Sequence, residues 1–282
     1  MAWIDVARWL KLKRSLVPQR DADYRQIRSA VPAAAQGSGC WEDKGGAKMI
    51  VGHIGARKGS KGVPGKNSRM LQGKPLIDWS LDQLLNNSRI DAVVVSTDDE
   101  EIYHHACTKD TVDIGLRPAE LCTDTAAKWP VWQHSLAAVE EKLGEVSIFV
   151  DLDCTAPLRW DSDVDAALDQ FIAQRPDMLM SCCTARKNPY FNLLETDPDG
   201  RLQVSKPLGH LVVARQQAPV VYEHAGGTYV VDPAYLKSAS SLFEGRVLPY
   251  IMPAERCADI DSELDFKIVA LLMAEQENSA NR

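Results

Sequence analysis

The sequence lacks the cysteine spacing of a zinc site and the long apolar run of a membrane span. Its seven cysteines form no Cys-x-x-Cys pair, and no histidine lies near them at a zinc-like spacing. No apolar run approaches the roughly 20 residues that a transmembrane helix needs. Basic residues are outnumbered, 32 against 39 acidic, which gives a net charge of −7. We therefore expect free thiols in a reducing, cytoplasmic compartment, no membrane partner and no nucleic-acid partner.

The overall composition is that of an ordinary globular protein. Of the 282 residues, 45% are hydrophobic and 25% are charged, which is too apolar for a disordered chain. At this length we expect one large α/β domain, or one domain with a small appendage.

The first 48 residues differ from the rest of the chain. They hold nine Lys and Arg against five Asp and Glu, and three of the seven tryptophans. A short basic amphipathic stretch (3–16) precedes an Ala/Gly/Ser-rich segment (33–46), and there is no apolar region of secretory length. A partner or membrane-surface helix is one interpretation. We favour the other: residues 1–48 are a poorly ordered arm or an upstream extension of the coding frame, and one domain spans 49–282.

From Met49 onward, short apolar runs alternate with segments of helical spacing. This alternation predicts an α/β fold with a mostly parallel sheet flanked by helices. Prolines and glycines interrupt it between 185 and 225, which predicts a β-rich excursion there. The predicted strands are 49–56, 92–96, 146–151, 178–183, 227–231 and 247–252. The predicted helices are 76–85, 100–107, 129–143, 161–174 and 262–277, the last with a capping box of Ser262 and Asp265.

A loop rich in glycine and lysine (55–67) follows the first predicted strand. It carries Arg57, Lys58, Lys61 and Lys66 among four glycines. Ligands of open α/β folds bind at the carboxyl ends of the strands, where exposed backbone N–H groups and cations suit a polyphosphate. The spacing is neither that of a P-loop nor that of the Gly-x-Gly-x-x-Gly motif. A solvated basic turn is the plainer alternative, but we predict a phosphate site.

Two aspartates near the C-terminus, Asp259 and Asp261, are spaced so that both side chains point to one face of an extended segment. Paired carboxylates suit a hard cation such as Mg²⁺ (or Mn²⁺), the usual companion of a nucleoside triphosphate. The alternative is that Asp261 only caps the following helix while Asp259 is solvated. Asp98 and Asp153 also follow predicted strands, and either is a candidate further carboxylate near a metal.

Seven ordered segments resemble motifs of the acylneuraminate cytidylyltransferases, the CMP-sialic acid (nonulosonate) synthetases. The resemblance runs from Met49 to about Met273, and its opening motif is Gly-Ala-Arg-Lys-Gly-Ser-Lys-Gly-Val-Pro-Gly-Lys-Asn. The seven segments are 55–67, 73–79, 96–98, 117–124, 154–159, 214–219 and 259–266.

The resemblance implies a Rossmann-like homodimer with a small dimerisation lobe at about 187–225. It implies transfer of CMP from CTP to the anomeric hydroxyl of a nine-carbon keto-acid sugar, with release of pyrophosphate and with Mg²⁺ bound by Asp259 and Asp261. The residues it assigns to catalysis are Arg57, Lys61 and Lys66. Those it assigns to the nucleotide are Gly55, Ala56, Arg57, Ser60, Lys61, Lys66, Asn67, Asp98 and Arg117. Those it assigns to the sugar are Asp153, Thr155, Arg215 and Gln216.

Two departures from the family pattern bear on the substrate. Lys128 follows Ala126 and Ala127 where the family has small residues, and Asp153 replaces a glutamine near the acceptor sugar. Asp153 points away from plain N-acetylneuraminate toward a relative such as legionaminate. The alternatives are a cytidylyltransferase for another keto-acid sugar, such as 3-deoxy-manno-octulosonate or pseudaminate, and a catalytically silent nucleotide-binding homologue.

Overall fold

The structure is a computed structural model that describes residues 49–59, 62–123 and 125–280. The interpretation of residues 1–48 as an arm falls outside these residues. The first described strand, β1, begins at Met49, where the regular pattern of the sequence also begins.

A six-stranded sheet forms the centre of the molecule. Its strands are β1 (Met49–Gly55), β4 (Ala92–Ser96), β5 (Val146–Leu152), β6 (Met178–Thr184), β9 (Tyr222–Val231) and β10 (Val247–Ile251). They lie in the order β10-β6-β9-β5-β1-β4. All neighbouring pairs are parallel except those of β9, which is antiparallel to both β5 and β6. Two short hairpins pair β2 (Met70–Leu71) with β3 (Lys74–Pro75) and β7 (Leu194–Thr196) with β8 (Leu202–Val204).

Helices cover both faces of the sheet. They are α1 (Leu76–Asn86), α2 (Glu100–Cys107), α3 (Lys128–Leu143), α4 (Asp161–Gln174), α5 (Pro233–Ser238) and α6 (Glu263–Ala280). One core cluster joins α1, α2 and α4 to one face, and a second joins α3 and α5 to the other. Along β4, Val93 and Val95 pack into the first cluster while Ala92 and Val94 pack into the second. Burial on both faces explains why the strands are continuous apolar runs.

A third cluster fixes helix α6 beside the loop that follows β1. Val63 of that loop packs with Ile260, Phe266 and Val269. Ser262 and Asp265 form the expected capping box: the Asp265 carboxylate accepts the Ser262 N–H at 2.8 Å, and the Ser262 hydroxyl accepts the Asp265 N–H at 3.3 Å. The packing therefore holds the C-terminal aspartates close to the glycine-rich loop.

The mixed α/β sheet confirms the predicted fold class, and all six predicted strands and five predicted helices form. The antiparallel direction of β9, helix α5 and the β2–β3 hairpin were not predicted. Between 185 and 221 the structure has one short hairpin, β7–β8, and one 3-10 turn, Arg215–Gln217, joined by turns and extended segments. None of the described helices combines the length and apolarity required to cross a bilayer.

Candidate active site

A cleft of about 210 Å³ opens at the carboxyl ends of β1 and β5. Parallel strands bring these ends together because they pair in register: Gly55 lies opposite Ser96 of β4, and His53 lies opposite Asp151 of β5. The side chains that line the cleft include His53, Arg57, Arg117, Lys128, Trp132, Asp151 and Asp153. The cleft therefore combines four basic or imidazole groups with two carboxylates.

The glycine-rich loop meets the C-terminal aspartates although they lie almost 200 residues apart in sequence. Lys66 donates to the Ile260 carbonyl at 2.6 Å, and its ammonium lies 3.6 Å from the Asp261 carboxylate. Gly62 packs so tightly on this segment that an added Cβ would lie 1.9 Å from the Asp261 carbonyl oxygen. Ser60 and Lys61, both predicted to bind the nucleotide, lie outside the described residues.

Four of the predicted nucleotide-binding residues form a connected set at the ends of β1 and β4. The Arg117 guanidinium donates to the Ser96 hydroxyl at 3.0 Å and to its carbonyl at 2.5 Å. Asn67 donates to the Arg57 carbonyl at 3.2 Å, and Asp98 accepts the Lys58 N–H at 2.6 Å.

Gly55 and Ala56 supply the backbone that this set surrounds. Gly55 lines the cleft, and a Cβ there would lie 3.5 Å from an Arg117 nitrogen. Ala56 is fully buried and donates its N–H to the Ser96 carbonyl at 3.0 Å. These contacts fix the backbone at the start of the glycine-rich loop against β4.

Asp259 carries a buried carboxylate oxygen, Oδ1, that has no hydrogen-bond partner among the described residues. Burial first, and then the neighbouring carboxylates of Asp153 and Asp261, raise the pKa of Asp259 to about 6. The Asp261 side chain is exposed. A buried carboxylate oxygen without a donor, beside other carboxylates, fits a divalent cation, which supplies the missing positive charge.

Lys128 forms the centre of an ionic network that the sequence did not predict as a site. Its ammonium contacts the carboxylates of Asp153 and Asp151 and lies 4.1 Å from the centre of the Tyr229 ring. Although burial opposes the charge, Asp153 and then Asp151 raise the pKa of Lys128 above its ordinary value. The ammonium is therefore permanently charged at neutral pH.

The network continues into the core through Asp151 and outward through Asp153. His53 Nδ1 lies 2.5 Å from the Asp151 carboxylate, and Nε2 lies 3.1 Å from the Ser135 hydroxyl. Burial opposes ionisation of Asp151, but Lys128 and His53 hold the pKa of that carboxyl below its usual value. On the outer side, the Tyr229 hydroxyl lies 3.5 Å from Asp153 and 2.7 Å from His224.

Gly227 makes room for Asp153. Its φ is +48°, and an added Cβ would lie 2.4 Å from the Asp153 Cβ. A side chain is therefore excluded at this point of β9 on both conformational and steric grounds.

A signal for this network was present in the sequence. Asp151 and Asp153 are spaced as i and i+2 at a strand end, which places both carboxylates on one face. Lys128 had been noted only as a departure from the family pattern. Its pairing with both aspartates follows from the packing of α3 against β5, which spacing alone does not specify.

The predicted sugar-binding residues separate into two groups. Asp153 lines the cleft, and the Thr155 carbonyl accepts the Ile260 N–H at 2.9 Å, which ties the end of β5 to the aspartate segment. Arg215 and Gln216 are exposed on the excursion between β8 and β9, where Arg215 donates to the Arg186 carbonyl at 2.6 Å. Neither of these two is among the described residues that line the cleft. The roles assigned to all these side chains stay predictions.

Solved structures share this fold. A CMP:2-keto-3-deoxy-manno-octonic acid synthetase complexed with CTP superimposes with a TM-score of 0.59 at 17% identity, over 81% of this chain and 100% of that one. A 4-diphosphocytidyl-2C-methyl-D-erythritol synthase from Anaerococcus prevotii gives a TM-score of 0.53 at 13% identity, over 80% of this chain and 99% of that one. At these identities the likeness shows the fold alone.

Other known proteins share a higher sequence identity with this chain than these two structures do. Post-translational flagellin modification protein B of Campylobacter coli is 37% identical over 82% of this chain and 97% of its own length. A CMP-N,N'-diacetyllegionaminic acid synthase of Campylobacter jejuni is 35% identical over 80% of this chain and 95% of its own length. An N-acylneuraminate cytidylyltransferase of Streptococcus agalactiae is 28% identical over 76% of this chain and 50% of its own length.

A family model described as cytidylyltransferase matches residues 51–225, from the third residue of β1 to the fourth residue of β9. This range contains the glycine-rich loop and the whole Lys128 network apart from Tyr229. The match confirms the resemblance drawn from the motifs, and with the relatives it identifies a nucleotidyltransferase enzyme. The chain belongs to the cytidylyltransferase family.

Proposed function

We propose that this chain transfers the CMP group of CTP to the anomeric hydroxyl of a nine-carbon keto-acid sugar and releases pyrophosphate. The observation that carries the proposal is the junction of the glycine-rich loop with the Asp259–Asp261 segment, through Gly62 and Lys66. This junction brings phosphate-binding cations and metal-binding carboxylates to one edge of the sheet. Family membership and the names of the relatives support the same activity.

The reaction needs positioning and charge neutralisation more than covalent chemistry. The anomeric hydroxyl attacks the α-phosphorus, an oxygen–phosphorus bond forms to the sugar, and the bond to the β-phosphate breaks. Arg57, Lys61 and Lys66 neutralise the charge that grows on the phosphate oxygens, and Gly55 and Gly62 let the backbone approach them. Asn67, Asp98 and Arg117 hold the nucleoside part at the ends of β1 and β4.

Asp259 and Asp261 are the residues that would hold Mg²⁺ or Mn²⁺. The unpartnered Asp259 oxygen and the exposed Asp261 carboxylate supply the oxygen ligands that such ions prefer. When bound, the cation polarises phosphate oxygens and offsets the charge of the triphosphate. Lys66 bonds the carbonyl between the two aspartates and so orients this segment toward the loop.

The proposed acceptor is of the legionaminate type, with N-acylneuraminate as the second candidate. Asp153 replaces the glutamine of the neuraminate enzymes beside the acceptor, and the CMP-N,N'-diacetyllegionaminic acid synthase is more similar to this chain than the N-acylneuraminate cytidylyltransferase is, 35% against 28%. Asp153 and Thr155 would contact the sugar from the cleft, while Arg215 and Gln216 would reach it from the excursion of a second copy.

The proposed assembly is a homodimer formed through the excursion at 187–225. Several large apolar side chains are exposed there, including Leu202 at 70%, Leu211 at 82% and Val220 at 69%. A second copy that covers them would remove this surface from water. The six cysteines of the described residues are free, which supports a reducing, cytoplasmic location.

Pyrophosphate release from CTP tests the proposal. The full chain with Mg²⁺ is assayed with N,N'-diacetyllegionaminate, N-acetylneuraminate, pseudaminate and 3-deoxy-manno-octulosonate. We expect the highest kcat/KM with the legionaminate sugar and a loss of rate in chelator. Tight CTP binding with no turnover of any of these sugars would contradict the proposed transfer.

A further inference from the structure

Lys128 lines the cleft, although the sequence placed it outside every predicted site. It begins helix α3, and its ammonium lies 5.6 Å from the centre of the Trp132 ring and 4.1 Å from the centre of the Tyr229 ring. The ammonium points at the end of β5, where it contacts Asp151 and Asp153. About 38% of the side chain is exposed to the cleft.

The charges around Lys128 belong to two groups of carboxylates. Asp151 and Asp153 contact the ammonium directly. Asp259 and Asp261 flank Ile260, whose N–H donates to the Thr155 carbonyl and so ties their segment to the end of β5. Asp153 raises the pKa of Asp259 and Lys128 lowers it, so these three groups act on one another electrostatically. Without Lys128, the positive groups left to act on Asp151 and Asp153 would be His53, if protonated, and the guanidiniums of Arg117 and Arg159, which are engaged by Ser96 and by Ser80, Gln83 and the Gly226 carbonyl.

Carboxylates attract divalent cations, and the position of a bound ion depends on which of them is already neutralised. The Lys128 ammonium is hydrogen-bonded to Oδ1 of Asp153 and lies 3.4 Å from Oδ2 of Asp151. A cation that binds these oxygens must displace the ammonium. The Asp259 oxygen, by contrast, has no donor.

We propose that Lys128 is a tethered counter-cation that neutralises Asp151 and Asp153 and so confines the divalent ion to the neighbouring Asp259–Asp261 segment. Lys128 is then a positioning residue: it leaves Asp153 to the acceptor and keeps the metal with the triphosphate. The inference rests on the metal site of the proposed function. It also explains why Lys128 and Asp153, the two departures from the family pattern, form an ion pair.

Mn²⁺ binding to the full chain tests the inference, with stoichiometry and affinity measured by electron paramagnetic resonance in the presence and absence of CTP. We expect the wild type to bind one Mn²⁺ with CTP. Lys128→Met and the milder Lys128→Gln should bind a second Mn²⁺, or bind Mn²⁺ without CTP at least about tenfold more tightly. Lys128→Arg keeps the charge and should resemble the wild type. Lys142→Met is the matched control, because Lys142 lies on the same helix and contacts the Asp113 carbonyl.

The double variant Lys128→Met/Asp153→Asn removes both charges of the ion pair and should return Mn²⁺ stoichiometry to that of the wild type. Circular dichroism checks that Lys128→Gln is folded. If the folded variant bound Mn²⁺ with the stoichiometry and affinity of the wild type, the inference would be overturned. A wild type that binds no Mn²⁺ with CTP would instead overturn the metal site of the proposed function. The two failures are thus distinguishable.

Discussion

At the residue scale, Asp261 and Ser262 are neighbours that the structure assigns to different tasks. Ser262 exchanges hydrogen bonds with Asp265 and caps helix α6, whereas the Asp261 side chain is 85% exposed and lies near the Lys66 ammonium. The alternative in which Asp261 only caps the helix is therefore not supported, because Ser262 occupies the capping position. The two side chains provide a matched pair for separating metal binding from helix stability.

Asp261→Asn should raise the Mg²⁺ concentration needed for half-maximal rate, because the amide keeps one oxygen but loses the charge. Its melting temperature should stay close to that of the wild type. Ser262→Ala should lower the free energy of unfolding by about 0.5–2 kcal/mol through loss of the cap, with the Mg²⁺ dependence unchanged. Steady-state titration with Mg²⁺ and thermal melting measure the two effects. A normal Mg²⁺ dependence in Asp261→Asn would remove Asp261 from the metal site.

Residue-scale features of the site were predictable only in part. Asp259, Asp261 and the cations of the glycine-rich loop were proposed from their pattern in the sequence, and their roles stay predictions. The two aspartates lie outside any strand, in the segment that leads into α6. The Lys128–Asp153 ion pair depends on the approach of α3 to β5, and the His53–Asp151 contact depends on the register of β1 with β5. Neither contact is encoded in local spacing.

At the scale of elements, the contact of the glycine-rich loop with the aspartate segment is a backbone contact. Gly62 fits against the Asp261 carbonyl because it has no Cβ, and Val63 anchors the loop in the cluster beneath α6. The approach of the loop to the proposed metal-binding carboxylates is therefore set by the size of one residue.

Gly62→Ala should separate the loop from the aspartate segment, since the added Cβ would overlap the Asp261 carbonyl oxygen at 1.9 Å. We expect kcat/KM for CTP to fall by at least about tenfold, a loss of roughly 1.4 kcal/mol in transition-state stabilisation. Gly209→Ala is the control, because an added Cβ there meets nothing within 4 Å. Equal kinetics for the two variants would show that the close approach at Gly62 is not needed for turnover.

Element boundaries followed the sequence where apolar periodicity was strong. Strand β4 and helices α2 and α4 have the predicted bounds, because each is flanked by polar or capping residues such as Asp99, whose carboxylate accepts N–H groups of α2. The direction of β9 was not predictable. Its ten residues include the Gly226–Gly227 bend, and the pairing with both β5 and β6 is a long-range property of the sheet.

At the scale of the whole molecule, the excursion between β6 and β9 exposes several large apolar side chains, among them Leu202 and Leu211. Leu202→Glu with Leu211→Glu should weaken the proposed homodimer, because two buried charges would replace apolar contacts. Light scattering after size-exclusion chromatography measures the mass. Leu264→Glu, on the exposed side of α6, is the control and should leave the mass unchanged. A wild type that is monomeric at micromolar concentration would contradict the dimer.

Removal of residues 1–48 should leave the folded domain and its activity intact. Strand β1 begins at Met49, and the flagellin modification protein of Campylobacter coli aligns along 97% of its own length with only 82% of this chain. Activity and melting temperature of the 49–282 fragment, measured beside the full chain, test this expectation. A fragment that is insoluble, or that binds CTP normally but does not turn over, would show that the N-terminal segment belongs to the domain or to its site.

The central claim is that the cleft transfers the nucleotidyl group of CTP and not a terminal phosphate. The most direct measurement follows two labels: CTP labelled at the α-phosphate and CTP labelled at the γ-phosphate are each incubated with the full chain, Mg²⁺ and N,N'-diacetyllegionaminate. Attack at the α-phosphorus predicts that the α-label appears in the sugar nucleotide and the γ-label in pyrophosphate. Appearance of the γ-label in the sugar product, or of the α-label in CDP, would contradict the account.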